Sequence, residues 1–456
     1  MFKLDRDVLH LIFEELRDDE KTLCLCLSVN KAFCETVVPI LWKNPWKSIK
    51  KGKEKLLLNV IISHLSDESK NNLNNLGVNL LTNSYKKPLF NYIRFCKHLR
   101  LCGIKKIINS YEESKISIIN NEIFKLFINE NMKYTHLYIP LNFGIQIHLI
   151  PGAKNCLSEI IFLKCHSNND DNIARLTEIC KSIKEMELFI VDNNKNNEII
   201  KLIEAQRKLF NVSLKYSSYG EDTTLENSLI KHASTIQYFK IDNQSITKFL
   251  LLFVNLRVLE LHEIINEPLD QLKNITLPYL QILYARRVSY IVLISLIEST
   301  SRQLTEISFT YCTGNKYIED KHIIQIIYQN CPNLKYLKIG LGDIRDISEL
   351  ENLLINCQYL DGLYLTNYIN SFNFDNLFEM LANLSPISLF KFKFDFLAFR
   401  LKKSLKLFFD NWKDRHPMLI HISYIKEYSS LMEKYKAEGI IKDYNHLHDE
   451  DFEWNT

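Results

Sequence analysis

The chain has 456 residues, too many for one compact core, so two domains or a repeat array are expected. Lys plus Arg (57) nearly balances Asp plus Glu (54), a formal charge of +3, which gives no electrostatic reason to expect nucleic acid or a membrane surface as partner. Apolar residues are 46% and charged residues 24%, which excludes disorder over most of the chain.

The first elements follow from residues 1–46. Leu4, Val8, Leu9, Ile12, Phe13 and Leu16 lie at helical spacing, with Asp5 placed to cap the first turn. Arg17 to Glu20 is a polar break. Leu23, Cys24, Leu27 and Val29 form a second apolar run. Asn30 suits the cap of a third helix from Lys31 towards Val38, where Pro39 discourages continuation. Three such helices make a bundle too small to stand alone, and its exposed apolar residues would want a partner.

Residues 47–131 read as a helical connecting segment. Leu56 to Leu65 is an amphipathic helix candidate, and Asp67 to Asn75 is polar enough to expect a loop. Pro88 to Phe95 reads as a strand or packed connector. Lys50, Lys51, Lys53 and Lys55 are expected to form a solvated face.

From residue 132 to 425 one spacing recurs, apolar-x-x-apolar-x-apolar. Its instances include Leu157-Ile160-Phe162, Ile183-Met186-Leu188, Leu209-Val212-Leu214, Ile236-Phe239-Ile241, Leu256-Leu259-Leu261, Leu280-Leu283-Ala285, Leu304-Ile307-Phe309, Leu334-Leu337-Ile339 and Leu360-Leu363-Leu365. Ile387-Phe390-Phe392 continues the series, Tyr134-Leu137-Ile139 is a candidate start and Leu419-Ile422-Tyr424 a candidate end. The period averages about 26 residues, the range of leucine-rich repeats. A short strand with two inward apolar residues cannot bury its face alone, but stacked neighbours can. The expectation is an α/β fold: a curved leucine-rich-repeat solenoid, with parallel strands on the concave face and helices outside. Residues 426–456 are expected as a C-terminal cap and polar tail.

Residues between the inward positions of each strand would face a partner. Those expected at the surface are Tyr238, Lys240, Glu260, His262, Tyr284, Arg286, Tyr336, Lys338, Tyr364 and Lys391, with Leu389 and Lys393 beside them. Tyr and Arg are favoured at interface centres, though Tyr is also an ordinary strand residue.

Eleven cysteines lie singly or in apolar runs, without CxxC pairs. The expectation is small buried hydrophobes in a reducing compartment, cytoplasmic or nuclear, with no metal. No secretory leader is expected from residues 1–10, and no apolar run is long enough to span a bilayer. No phosphate-cradling loop, GxSxG or HExxH occurs. No catalytic residues and no cofactor are expected; the chain reads as a non-catalytic binding protein.

The opening segment also resembles a known family, the F-box. The match lies in Leu4, Val8, Leu9, Ile12-Phe13, Leu16, Leu23, Leu27, Val29-Asn30-Lys31, Phe33 and Leu41-Trp42. Leu4-Asp5 stands where the family has Leu-Pro. The resemblance implies a three-helix bundle docking on the Skp adaptor, and through it on a cullin–RING ubiquitin ligase. Leu4, Val8, Leu9, Ile12, Phe13, Leu27, Val29 and Trp42 would make or support that contact. The repeat array would then hold an unidentified protein substrate. The alternative is an interaction scaffold outside any ligase.

Overall fold

In the computed structural model, residues 5–47, 54–75, 88–108, 113–191, 196–217, 223–243, 248–264, 276–310, 316–341, 347–367, 373–396, 401–423 and 425–446 are described. Leu4, Lys50, Lys51, Lys53, Cys312 and Tyr424 fall outside them, as does the side chain of Lys55. The chain divides into two compact units, Met1–Leu209 and Phe210–Thr456.

The first unit opens with α1 (Arg6–Glu15), α2 (Glu20–Cys26) and α3 (Lys31–Trp42). The Asn30 side chain accepts from Phe33 N at 2.9 Å, and Asp19 caps α2 by accepting from Thr22 N at 3.0 Å. Asp5 is the N-cap of α1 through its backbone, with no side-chain bond. Leu9, Phe13, Leu23, Val37 and Ile40 form the bundle core. Contrary to expectation, α3 runs through Pro39 to Trp42. Proline forgoes one helical bond, but Val37, Val38 and Ile40 are buried on either side of it, and that packing carries the helix onward.

Next come α4 (Glu54–Ser63) and α5 (Asp67–Asn75). The segment expected as a loop is therefore helical. Ser66 Oγ accepts from Ser69 N at 3.1 Å, Asp67 and Glu68 favour the positive helix start, and Leu73 is buried. A 3₁₀ turn, Tyr92–Phe95, leads into β1 (His98–Arg100), so the sheet begins inside the segment expected as a linker. The unit continues with α6 (Leu101–Ile108), α7 (Glu113–Phe127), β2 (His136–Tyr138), α8 (Ala153–Cys156), β3 (Phe162–His166), α9 (Asp170–Ile179), β4 (Glu185–Ile190) and α10 (Asn197–Glu204). The four strands are parallel neighbours in chain order up to the β3–β4 pair.

The second unit contains β5 (Asn211–Tyr216), α11 (Thr223–Ile230), β6 (Tyr238–Asp242), β7 (Val258–His262), β8 (Ile282–Arg286), α12 (Tyr290–Glu298) and β9 (Glu306–Thr310). It goes on with α13 (Lys316–Asn330), β10 (Tyr336–Gly340), α14 (Ser348–Asn356), β11 (Gly362–Asn367), α15 (Phe374–Leu384), β12 (Lys391–Phe396), α16 (Lys402–Asn411), β13 (Met418–Ile422), α17 (Ser429–Ala437) and β14 (Ile441–His446). Strands β5 to β14 again pair parallel and in order. The array thus reaches past residue 425 into the segment expected as cap and tail.

Three registers differ from the sequence reading. In β3 the buried set is Ile160, Leu163 and Cys165, and Phe162 is turned outward. In β12 the buried set is Leu389, Phe392 and Phe394, while Ile387 is 94% exposed. In β13 Met418, Ile420 and Ile422 are buried and Leu419 is turned outward. A one-residue slip exchanges the faces of a strand, so Leu419 belongs to the open side.

A single backbone device joins successive strands. From β1 to β4 and again from β5 to β12, the carbonyl just before a strand accepts from two amides at the start of the next; at β13 only Leu419 N donates back to Phe390 O, and Met418 N turns to Ile440 O. Thr135 O takes Ile161 N and Phe162 N (2.9 and 3.1 Å), and Gln281 O takes Thr305 N and Glu306 N (2.8 and 3.1 Å). The first rung belongs to the bundle: Lys43 O accepts from Lys97 N and His98 N at 2.9 and 3.3 Å. Trp46, buried, donates its indole N–H to His98 O at 2.8 Å and lies so close to Gly103 that a Cβ there would stand 2.7 Å from its ring.

Behind the strands, buried side chains satisfy the turns. Cys180 Sγ donates to Leu157 O and Cys357 Sγ to Cys331 O, at equivalent places one repeat earlier. Gln206 does the same with more reach, donating to Cys180 O while accepting from Ile183 N, both at 3.0 Å. Burial pushes the thiols of Cys156, Cys165, Cys180 and Cys357 up to about 12, which keeps them protonated as packing groups rather than nucleophiles.

Candidate interaction surfaces

Two kinds of surface carry the expected residues. The first is the N-terminal bundle. Val8 and Ile12 of α1 are 42% and 44% exposed, and Val29 is 60% exposed. Leu11 and Leu25, not singled out from the sequence, are the most open of the group at 69% and 72%. Val8, Leu11 and Ile12 stand at i, i+3 and i+4 on one helix face. Leu9 and Phe13, expected to make or support the adaptor contact, are core: both are buried, and Phe13 meets Phe33 edge-on at 5.1 Å, so any part they play is that of support. A helix face packed into the bundle's own centre is not offered outward. Leu27 is half-buried against that core, and Trp42 is half-buried with its ring 4.8 Å from that of Tyr92. Leu4 lies outside the described residues.

The second surface is the open side of the strands in the second unit. Parallel pairing aligns its residues in lateral rows. Lys240, Glu260, Tyr284 and Ser308 follow one another across β6 to β9, and Lys338, Tyr364 and Lys393 across β10 to β12. A second row holds Tyr238, Val258, Ile282, Glu306, Tyr336, Gly362 and Lys391, and His262 pairs with Arg286 in a third. All ten expected partner-facing residues therefore share one side of the sheet.

Their exposure is not what alternation suggests. Tyr364 and Lys391 are buried, at 3% and 7% exposed, because lateral neighbours close over them. Lys338 Nζ sits 4.2 Å over the Tyr364 ring, and Lys391 Nζ lies 3.4 Å from Tyr336 Oη. Tyr284 and Tyr336 pack against Tyr364. Tyr238 and Tyr284 donate their hydroxyls to Glu260 and Glu306 at 2.9 and 2.7 Å, and Lys240 pairs with Glu260 at 2.7 Å. His262 is half-buried; burial and the nearby Lys240 lower its pKa and favour the neutral ring.

The first unit has its own open strand side, which sequence reasoning passed over. His98 and His136 stack at 3.8 Å, His136 and Phe162 at 5.4 Å, and Arg100 lies over Tyr138 at 4.6 Å. Burial, then His136, Arg100 and Lys43, push His98 down to about 3. The signal was present in the alternation of HLR, HLY and FLKCH, whose outward residues are all ring-bearing or cationic. Among the described residues no group of three or more His, Cys, Asp or Glu could hold a metal, and no helix is long and apolar enough to cross a membrane.

Parallel strands in chain order, a repeated inward apolar spacing and short return segments define a leucine-rich-repeat-type α/β protein that presents side chains from its strands. No protein-family model and no curated protein matches the chain. Among solved structures it is similar to the leucine-rich repeat-containing protein LegL7 of Legionella pneumophila, at 15% identity over 66% of this chain and 86% of that one, with a TM-score of 0.31. It is also similar to a protein of Bacteroides fragilis, at 11% identity over 69% of this chain and 74% of that one, with a TM-score of 0.34. The class rests on the hydrogen-bond ladder and the apolar spacing, not on these likenesses.

Proposed function

We propose that this chain is the substrate-recognition subunit of an SCF-type cullin–RING ubiquitin ligase, docking on a Skp adaptor through its N-terminal bundle and holding a target protein on its strand face. The observation that carries the reading is the set of exposed apolar side chains on that bundle, Val8, Leu11 and Ile12 on one face of α1, Leu25 on α2 and Val29 just after it, on the segment that resembles an F-box. Large exposed apolar side chains concentrated on so small a bundle mark a docking surface. Covering one of them contributes about 1.5–3 kcal/mol. The receptor performs no chemistry; it raises the local concentration of its target beside the ubiquitin-loaded partner.

The test is capture of a purified Skp adaptor by the full chain. The wild type is expected to bind, and the double variant Leu11→Asp, Ile12→Asp to lose affinity by roughly a hundredfold or more. Leu89→Asp, at a site 81% exposed in the connecting segment, is expected to bind as the wild type does. Failure of the wild type to bind the adaptor ends the ligase reading.

A further inference from the structure

On the open strand side of the first unit, rings and cations are segregated from the carboxylates. The outward residues of β1 are His98 and Arg100, those of β2 His136 and Tyr138, and those of β3 Phe162, Lys164 and His166, with no acid among them. The carboxylates of this side, Glu185 and Glu187, belong to β4. Lys164 takes Glu187 at 2.5 Å, and Lys43, just after α3, takes Glu14 at 3.7 Å. Arg100 is left over. It makes no ion pair among the described residues, and its row places Glu187 three strands away, roughly 14 Å at the usual strand spacing.

The neighbouring rings orient that guanidinium. It lies 4.6 Å over Tyr138, which holds it in place without cancelling its charge, and its Nε finds no hydrogen-bond partner. Burial raises the Tyr138 hydroxyl pKa; Arg100 opposes the rise by charge and hydrogen bond, and Glu187 adds to it. The same hydroxyl is 3.3 Å from His98 Nδ1, and His98 stacks on His136. Burial leads in lowering the pKa values of His98, His136 and His166. The charges that add to it are all positive: His136, Arg100 and Lys43 at His98, Lys43 at His136, and Lys164 at His166. Arg100 itself is half-buried, oriented but not enclosed.

We propose that Arg100 anchors an acidic side chain of the recruited protein, an Asp or Glu on an extended segment laid across β1 to β3 beside the rings of Tyr138, His136 and Phe162. The inference rests on reading the strand face as the surface that holds the target. Charge complementarity sets the class of partner. A guanidinium fixed in orientation and lacking a carboxylate matches a planar carboxylate with two parallel bonds, and the positive surroundings disfavour a basic segment.

Fluorescence anisotropy on the full chain tests it. The probes are a labelled Glu/Asp-rich peptide, the same peptide with Gln and Asn in place of its acids, and a labelled oligothymidylate. The acidic peptide is expected to bind, more weakly as salt rises, and the other two are not. Arg100→Gln is expected to weaken binding roughly tenfold. Arg207→Gln, which removes an exposed cation in the turn ahead of β5, is expected to bind as the wild type does. A benzophenone-bearing acidic peptide locates the site on the unaltered chain, whatever Arg100→Gln does to folding. Its crosslinks, mapped by mass spectrometry, are expected on β1, β2 or β3. Absence of acidic-peptide binding, equal binding of the neutral peptide or the oligonucleotide, a folded Arg100→Gln that binds as the wild type does, or crosslinks confined to other strands overturns the proposal. Adaptor capture by the same preparation separates the two readings. A chain that captures the adaptor and ignores the acidic peptide remains a receptor and loses this inference. A chain that binds the peptide and not the adaptor keeps the Arg100 site and loses the ligase role.

Discussion

Replacing Gln206 by Met keeps the length and flexibility of the side chain and removes its polar end. Gln206 is 1% exposed and makes three bonds: it accepts from Ile183 N at 3.0 Å and donates to Cys180 O and Leu202 O at 3.0 and 2.9 Å. With methionine the Ile183 N–H, just ahead of β4, faces a thioether in a dry site. An unsatisfied buried donor costs about 1–3 kcal/mol. The two carbonyls add less, since each keeps a second acceptor direction, so a total of about 2–4 kcal/mol is expected. That is a large share of the ~5–15 kcal/mol that holds an ordinary domain together. Urea unfolding reads the loss globally. Hydrogen exchange at the Ile183 amide reads it locally, where 2 kcal/mol corresponds to roughly thirtyfold faster exchange if that rung opens alone. A Met variant within about 0.5 kcal/mol of the wild type, with Ile183 equally protected, would refute the view that this side chain carries the rung.

Two further outcomes follow from single sites. Arg415 donates to Ala382 O, Ser385 O and Pro386 O at 3.0, 2.5 and 2.9 Å and lies 4.2 Å over Trp412. Arg415→Lys cannot reproduce that planar fork and is expected to lower stability by about 1–3 kcal/mol in urea unfolding; a lysine variant as stable as the parent would show that the charge alone suffices. His98 keeps its neutral form down to about 3, while an unfolded histidine takes its proton near 6.5. Between those values the unfolded chain binds the extra proton, so stability falls as pH drops from about 6.5 towards 3, and the lowered pKa values of His136, His166 and His262 act in the same sense. His98→Asn is expected to flatten the acid side of the stability profile. An unchanged slope would place the acid sensitivity elsewhere.

The strand cores from β6 to β11 were legible because each offers a single apolar set at the repeat spacing. The register failed where two sets compete. In the Phe390 to Phe396 run every second residue is Phe, and only the choice of Leu389 over Ile387 for the turn settles which ones lie in the core. β1 was missed because it is three residues long and its repeat opens on Cys96 rather than Leu. α5 was missed because Leu73 is its one buried residue, and its capping serine and acidic first turn decide the matter. For the candidate surfaces, alternation placed the right residues on the open side of the strands. It could not foresee the burial of Tyr364 and Lys391, which depends on neighbours one repeat away. In the bundle the helical period marked an apolar stripe, but which edge of that stripe meets Phe33 and which is left at Leu11 and Leu25 is settled only by packing.

The carbonyl of Lys43 has a practical consequence. A stack of repeats needs something to finish its open end, and here the last turn of the bundle supplies the missing rung while Trp46 plugs the gap at Gly103. The terminal module thus seals the end of the stack. Cutting the chain after residue 46 would leave β1 with unpaired amides and an empty slot, and a truncated protein that aggregates would say nothing about whether the bundle also binds a partner. Only changes confined to its outer side chains can separate the proposed docking from the sealing.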